Sequence, residues 1–177
     1  LNIATARAGN VIGGGDFARD RIIPDIVRAI ERNESVELRN PNSVRPWQHV
    51  LDVLNGYLLL AYNLIENNKN ISANKNGELP SYNFAPIDNK RTVEYITKVF
   101  IGSIGKGNYK IKSQNTNKKE MNILRLDSSL ARKELLWEEK FNTEEAVKQT
   151  ALWYREYLDS KDITDKQIKD YTNSFYP

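Results

Sequence analysis

A short strand that runs directly into three consecutive glycines is the feature that most limits how this chain can fold. The segment from Arg7 to Asp16 reads Arg-Ala-Gly-Asn-Val-Ile-Gly-Gly-Gly-Asp, so a polar Asn10 lies at the strand end, just before a loop of high backbone freedom. Further along the chain, Arg45 precedes Pro46, which restricts the arginine to extended backbone geometry. These two segments are the candidate ligand-binding parts of the chain.

The composition is that of an ordinary globular protein. The chain has 177 residues, a formal net charge of +3, 40% hydrophobic and 28% charged residues, which is enough for one domain with its own core. No apolar run approaches the roughly 18 residues of a membrane span, and the first residues lack the pattern of a signal peptide. We expect a cytoplasmic protein with neither a membrane nor a nucleic acid as its partner.

The residue types argue against disulfides and against metal sites built from cysteine or histidine. The chain contains no cysteine and one histidine, His49. Disulfides, thiolate metal sites and a histidine-based metal cluster are therefore not expected, and the absence of cysteine fits a reducing cytosol.

The start of the chain predicts a division of the fold. Leu1 is not an initiator methionine, and the chain opens at once in a strand-like pattern. We expect this start to be a cut inside a larger protein, with residues 1–12 at the last strand edge of a missing dinucleotide-binding domain. Residues 13–177 would form the substrate-binding lid.

Apolar spacing and capping residues predict a mixed α/β order that is rich in helices. The expected strands cover residues 2–9, 35–39, 82–84, 108–112 and 122–126. The expected helices run from Ile22 to about Asn33, from Val50 to about Asn67, from the cap Thr92 to Ile101, from the cap Asp127 to about Leu136, from the capping pair Asn142–Glu145 to Leu158, and from the pair Thr164–Gln167 to about Tyr171.

Familiar catalytic signatures are missing from the chain. No G-x-G-x-x-G follows a strand, and Gly13-Gly14-Gly15 does not continue into the Lys-Ser/Thr of a P-loop. Tyr157 and Lys161 match the Tyr-x-x-x-Lys spacing of short-chain dehydrogenases, but they lie at the end of a C-terminal helix, so packing explains them better. The lysine cluster between residues 106 and 119 is expected to be a solvated face.

The residue types of the two candidate segments suit a nucleotide diphosphate. Asn10 offers amide donors, and Arg45 offers a fork of donors that can clamp phosphate oxygens. Arg21, at a helix start, adds charge where helix-terminal amides favour anions. An apolar floor for the base would come from Val36 and Leu38, with Arg39 and Asn40 at its edge.

Each of these residues also has a purely structural interpretation. Arg45 could pair with Asp52, and Asn10 could cap the glycine turn. Trp47 is more easily explained as a core residue than as a stacking platform, and His49 as a packed, hydrogen-bonded side chain. The two apolar residues of strand 35–39 belong to the core in either interpretation.

Several segments resemble the CDP-glucose 4,6-dehydratases, which are extended short-chain dehydrogenases/reductases. The likeness is strong over residues 1–66 and looser afterwards. Two motifs, Gly-Gly-Gly-Asp and Arg-Pro-Trp-Gln-His-Val, narrow the match to this family. The segments that carry it are Ala6–Asp16, Asp20–Asp25, Arg39–Pro41, Arg45–Leu51, Gly56–Leu60, Asn83–Pro86, Leu124–Asp127 and Leu136–Trp137.

The resemblance implies an α/β fold that is the C-terminal substrate-binding part of an extended Rossmann-type, NAD-dependent sugar-nucleotide enzyme. It implies that substrate is held at Asn10, Arg21, Val36, Leu38, Arg45, Asn83 and Glu120, to which the base-edge argument adds Arg39. It also implies that Ala8 and Gly9 touch the nicotinamide of NAD by backbone, and that the complete protein is a homo-oligomer.

The resemblance further implies a function. In such enzymes NAD removes and returns a hydride while water is lost from the hexose, giving CDP-4-keto-6-deoxyglucose for deoxysugar synthesis. The tyrosine, lysine, threonine and acidic residue of this chemistry match nothing here, so we expect no catalytic residue and no turnover from these 177 residues alone. Two alternatives stay open: another nucleotide-sugar epimerase or reductase, and a non-catalytic binding module.

Overall fold

The computed structural model describes residues 2–66, 79–112 and 123–173, and in these residues it is mixed α/β and rich in helices, as predicted. Two short strands, over residues 10–12 and 47–49, were not predicted. The strands are β1 (Thr5–Ala8), β2 (Asn10–Ile12), β3 (Ser35–Leu38), β4 (Trp47–His49), β5 (Ser81–Phe84) and β6 (Asn108–Ile111). The helices are α1 (Ile22–Glu31), α2 (Val50–Ile65), α3 (Val93–Ile104), α4 (Ser129–Leu135), α5 (Thr143–Leu158) and α6 (Thr164–Asn173).

The described strands form three parallel pairs, each joined by long crossovers. β1 pairs with β5, β2 with β4, and β3 with β6. Parallel neighbours need a crossover, most often a helix, to bring the chain back to the same end of the sheet. The alternation of strands and helices in the sequence therefore agrees with the parallel pairing.

The first predicted strand, over residues 2–9, forms as β1 and ends before Gly9, and the unpredicted strand β2 begins directly after Gly9. The amide of Gly9 donates to the carbonyl of Phe84 on β5 (3.2 Å), and the next amide, that of Asn10, donates to the carbonyl of Pro46 (2.9 Å). A β-carbon at Gly9 would lie 2.5 Å from the Pro46 oxygen, so only glycine allows this approach. The chain therefore leaves one partner strand and joins another within one residue.

Two apolar clusters form the core. The first joins α1, β3, α3 and α5 and includes the buried side chains of Ile26, Leu38, Phe100, Val147 and Tyr154. The second joins α2, β5 and α4 and includes those of Leu60, Tyr82, Phe84, Ala131 and Trp137.

Two of the predicted helix caps are present as expected. The Thr92 hydroxyl accepts from the amide of Tyr95 (3.1 Å) at the start of α3. At the start of α5, Asn142 and Glu145 bond reciprocally to each other's backbone amides in a complete capping box. Such caps satisfy amides that have no partner within the helix.

The other two predicted caps are wrong in detail. The N-cap residue of α4 is Ser128, and Asp127 instead accepts from the amide of Ser129 (2.9 Å), one residue further along. At α6, the Thr164 hydroxyl accepts from the Trp153 indole (2.8 Å), and the Gln167 amide donates to Gln149 (2.9 Å). The side chains of Thr164 and Gln167 therefore bond to α5 and do not cap α6.

The predicted strand over residues 122–126 does not form in its described part. Ile123 makes an isolated bridge to Val44, and residues 124–126 belong to no strand. The predicted helix over residues 50–67 ends at Ile65, and α3 continues three residues beyond the predicted end, to Ile104. Element ends depend on local hydrogen bonds that apolar spacing does not encode.

Asp52 is a fully buried carboxylate at the centre of a hydrogen-bond network. It accepts from the amides of Lys140 (2.8 Å) and Phe141 (3.3 Å) and from the Tyr171 hydroxyl (2.8 Å). Burial raises the pKa of Asp52, and the three donors oppose that rise. The network ties α6 to the N-terminus of α2.

Replacing Tyr171 with Phe should lower the free energy of unfolding by about 1–3 kcal/mol, because the Asp52 carboxylate then loses a donor in a site without access to water. Urea denaturation of the variant and the wild type measures this change. Tyr157→Phe is the matched control, since its ring packs on Trp153 and its hydroxyl has no partner in the described part of the chain. Equal losses in both variants would contradict the role of the Asp52 network.

The buried His49 should make the free energy of unfolding depend on pH. Its side chain is buried and accepts from the amide of Leu51 (3.3 Å), and burial lowers its pKa from 6.5 to about 4. Between these values the unfolded chain binds more protons at this residue, so the free energy of unfolding should fall as the pH is lowered from about 6.5 to 4. The contribution is at most about 1.4 kcal/mol per pH unit and vanishes above that window.

Urea denaturation from pH 4 to pH 7, compared between the wild type and His49→Gln, isolates this effect. Asp52 has a raised pKa in the folded state and therefore gives a slope of opposite sign, but it is common to both proteins. The variant should lack the loss of stability that His49 causes. Parallel pH profiles would refute the prediction.

Candidate functional site

The described residues enclose a cleft of about 610 Å³ beside the glycine loop. Four parts of the fold form its walls: β2 with the loop that follows it, the start of α1, strand β3 with the turn after it, and the segment that leads into β4. The lining residues are 9–13, 16, 20–25, 36–40, 43, 45, 47 and 93.

Most of the predicted substrate residues line this one cleft. These are Asn10, Arg21, Val36, Leu38, Arg39 and Arg45, with Gly9 from the predicted cofactor pair. Ala8 and Asn83 do not line it, since they lie on the β1–β5 pair. Glu120 lies outside the described residues. Segments far apart in sequence therefore converge on one surface, although which ligand they bind stays a prediction.

The β2–β4 pair brings Asn10 and Arg45 to the same wall. Asn10 is in register with Trp47, and its amide bonds to Pro46, the residue after Arg45. The backbone of Arg45 is held in turn by a bond from its amide to the carbonyl of Arg91 (3.2 Å). The half-buried Arg45 guanidinium also donates to the carbonyl of Val44 (2.9 Å).

The structural alternatives for these two residues are not supported. The carboxylate of Asp52, proposed as the partner of Arg45, is occupied by donors from α6 and from the segment before α5. The side chain that bonds within the glycine loop is that of Asp16, which accepts from the amide of Ala18 (2.9 Å).

The apolar wall of the cleft belongs to the core as well. Val36 and Leu38 are 7% and 1% exposed and alternate with exposed residues along β3. Trp47 is 5% exposed and joins the same core cluster, as predicted, and its indole nitrogen has no partner among the described residues. These side chains are rigidly placed, because packing fixes them from behind.

Ion pairs surround the cleft. Arg21 lies 3.4 Å from Asp16, and Arg39 lies 2.6 Å from Asp20. The bond from Arg39 lowers the pKa of Asp20 below its ordinary value. On β3, Glu37 pairs with Lys110 (2.9 Å) of β6 and with Lys112 (3.7 Å), and these lysines lower its pKa. That part of the predicted lysine cluster is therefore a paired, exposed face.

Side chains that the sequence did not point to hold the glycine loop in place. Gly14 lies against the indole of Trp153, where a β-carbon would approach to 2.1 Å. The Tyr154 hydroxyl donates to the Asp16 carbonyl, and Arg28 donates to the carbonyls of Phe17 (3.0 Å) and Ala18 (3.1 Å). The two aromatic residues come from α5, more than 130 positions later, so no local signal could have revealed them.

The remaining candidates make contacts outside the cleft. Tyr157 stacks on Trp153 with ring centroids 5.3 Å apart, and Lys161 lies 3.5 Å from Glu156, so the Tyr-x-x-x-Lys match is a packing feature outside the cleft. The Asn83 amide donates to the Asp127 carbonyl (3.1 Å), and its carbonyl oxygen is buried without a partner in the described residues.

The described residues contain no group of three or more side chains that could hold a metal ion. Nor does that part of the chain contain a helix both long and apolar enough to cross a membrane.

Comparison with known proteins points in one direction. The family model for GDP-mannose 4,6 dehydratase matches residues 7–150. The CDP-glucose 4,6-dehydratase of Salmonella typhimurium (strain LT2) is 35% identical over 178 residues, a match that covers 98% of this chain and 48% of that enzyme. The chain thus spans about half the length of this relative.

Solved structures share the fold. A UDP-glucose-4-epimerase from Stenotrophomonas maltophila, with bound NAD and formylated UDP-arabinopyranose, matches with a TM-score of 0.70 at 18% identity, over 91% of this chain and 50% of its own. The dTDP-glucose 4,6-dehydratase of Bacillus anthracis, in complex with NAD, matches with a TM-score of 0.62 at 19% identity, over 87% of this chain and 44% of its own. The fold is that of part of an extended Rossmann-type enzyme, as predicted.

Replacing Gly14 with Ala should lower the free energy of unfolding by about 1–3 kcal/mol, because the new methyl group meets a buried indole that other rings hold in place. Gly102→Ala is the matched control: nothing lies within 4 Å of its β-carbon position, and alanine favours the helix by about 0.5–1 kcal/mol. Thermal or urea denaturation distinguishes the two. A Gly14→Ala protein as stable as the wild type would contradict the loop contact.

Proposed function

The chain belongs to the GDP-mannose 4,6 dehydratase family, and from this premise we propose that it holds the nucleotide sugar for an NAD-dependent 4,6-dehydratase. One observation carries the proposal: amide, guanidinium and apolar side chains from four segments line a single cleft. A nucleotide diphosphate sugar needs these groups together, since it combines charged phosphates, a flat base and a polar hexose.

In this proposal Asn10 and Arg45 bind the diphosphate. A guanidinium can form two parallel bonds to phosphate oxygens, which are about twice as strong as bonds between neutral groups. The backbone hydrogen bonds of Arg45 and of its neighbour Pro46 restrict this segment before a ligand binds. Binding therefore costs less conformational entropy. Arg21 is well placed to add charge, because it directly precedes the first turn of α1.

The proposed base site is the apolar wall of β3. Val36 and Leu38 present packed side chains to one face of the base. Arg39 and Asn40, which follow them in the lining, suit a cytosine edge, because cytosine offers both acceptors and an amino donor. The 35% identity to a CDP-glucose 4,6-dehydratase supports CDP-glucose as the substrate and CDP-4-keto-6-deoxyglucose as the product.

NAD would be held mainly outside this chain. The chain lacks a G-x-G-x-x-G turn, and the Gly9 amide is already bonded to Phe84, so the described residues do not fit a dinucleotide by themselves. We propose that NAD and the catalytic tyrosine and lysine belong to a separate dinucleotide-binding half. Ala8 and Gly9, at the end of β1, would touch the nicotinamide only by backbone.

An exposed apolar stripe on α2 supports this division. Leu54, Leu58, Tyr62 and Ile65 are 47–78% exposed in the described structure, although they follow helical spacing. Just before β1, the Asn2 side chain donates to the carbonyl of Leu64 on α2 (2.8 Å), and β1 pairs only with β5 among the described strands. Two-stranded sheets are marginal, and parallel sheets are normally covered on both faces. We propose that further strands continue the sheet beyond β1 and cover this stripe; self-association of the complete protein stays a prediction.

Arg45→Gln should weaken CDP binding by about 10- to 100-fold, because truncating a charged partner of phosphate costs about 1.5–3 kcal/mol. Isothermal titration of the intact polypeptide that carries these residues measures the Kd. Arg155→Gln, which removes an exposed arginine of α5 outside the cleft, should leave it unchanged. If CDP bound the Arg45 variant as tightly as the wild type, the proposed phosphate site would be refuted.

The same titration separates the alternatives. Tighter binding of a UDP- or dTDP-sugar than of CDP-glucose would favour another nucleotide-sugar epimerase or reductase. Binding of none of these nucleotides would favour a non-catalytic module and overturn the proposed function.

A further inference from the structure

The cleft contains more acidic than basic side chains. Its lining has three arginines, Arg21, Arg39 and Arg45, and four carboxylates, Asp16, Asp20, Asp25 and Glu37. If none of the four carboxylates were neutralised, the negative charge of the lining would exceed the positive charge and would repel a phosphate. Their individual partners therefore decide how the site behaves.

Two of the carboxylates are neutralised by cations outside the lining. Asp25 pairs with Arg28, one turn further along α1, and Glu37 pairs with Lys110 and Lys112. None of these three cations lines the cleft, so these ion pairs do not occupy the arginines that would meet the ligand.

Asp16 and Asp20 differ, because their partners are the arginines of the cleft itself. Asp16 pairs with Arg21 and Asp20 with Arg39. We propose that these two carboxylates are internal counter-ions, which a phosphate-bearing ligand must displace from Arg21 and Arg39 when it binds. The inference rests on the proposed function, and it identifies Asp16 and Asp20 as residues that set the affinity of the cleft.

The geometry makes such an exchange feasible. The Asp20 and Arg39 side chains are 76% and 66% exposed, and ion pairs this exposed contribute little to stability. A phosphate group offers the Arg21 guanidinium two oxygens and more charge than a carboxylate does. At Arg39, the residue proposed for the base edge, displacement of Asp20 lets the guanidinium donate to the base. The two acids therefore act as weak competitors that occupy these arginines when no ligand is bound.

Asp20 is the better residue for a test. Its backbone is in the left-handed region (φ 61°), which asparagine also tolerates, so Asp20→Asn removes the charge with little strain. Asp16 also accepts from the loop amide of Ala18, and a change there would mix charge with loop structure.

In the intact polypeptide, Asp20→Asn should lower the Kd for CDP by about twofold to fivefold at low ionic strength, because one competitor for the Arg39 guanidinium is removed. Asp170→Asn is the matched control, since it removes the acid of an exposed ion pair with Lys166 on α6 and should not change the Kd. Isothermal titration with CDP measures all three proteins.

A second pair of variants separates local competition from a general change of charge. In an Arg39→Gln background, Asp20→Asn should change the Kd by less than about 1.5-fold, because the competed arginine is absent. An equal gain in both backgrounds would overturn the counter-ion role, as would unchanged or weaker CDP binding by Asp20→Asn alone. Either of those results would leave the proposed function intact, whereas a wild type that does not bind CDP would overturn both.

Discussion

The close approach of Gly9 to the carbonyl of Pro46 is the contact on which the cleft depends. Without a side chain, Gly9 lets the chain leave β5 and join β4 within one residue, so two successive amides bond to different partners. This divergence carries Asn10 to the wall on which Arg45 also lies. In open α/β sheets, crevices form where neighbouring strands diverge in this way, and ligands bind there. A larger residue would close the approach and separate the two segments.

The electrostatic potential in the cleft depends on the ion-pair partner of each carboxylate more than on the net charge of the lining. An excess of carboxylates would repel a phosphate. Two of the four carboxylates, those of Asp25 and Glu37, are neutralised by cations outside the cleft, namely Arg28, Lys110 and Lys112. The other two face arginines of the cleft. A ligand in this site therefore exchanges one set of ion pairs for another. The gain is a difference between two interactions, which makes the affinity adjustable by small changes at exposed positions.

The C-terminal helices support the site from a distance. Trp153 and Tyr154 on α5 fix the glycine loop, and Tyr171 on α6 bonds to the buried Asp52 in the first turn of α2. The rim of the cleft thus depends on residues that never line it. Such support explains how a loop with three glycines can hold a defined shape, because contacts from outside replace the stiffness that its own sequence lacks.

The sequence alone determined the order of the six described helices and of strands β1, β3, β5 and β6, the caps at Thr92 and Asn142, and six of the side chains that line the cleft. These features rest on local spacing, or on the residue types that phosphate and base chemistry require. Only the tertiary structure decided the break at Gly9, the cap at Ser128, the absence of a strand over residues 123–126 and the support from α5. It also decided which acid each arginine meets. All of these depend on contacts between residues far apart in the chain or on local bonds that apolar periodicity does not encode.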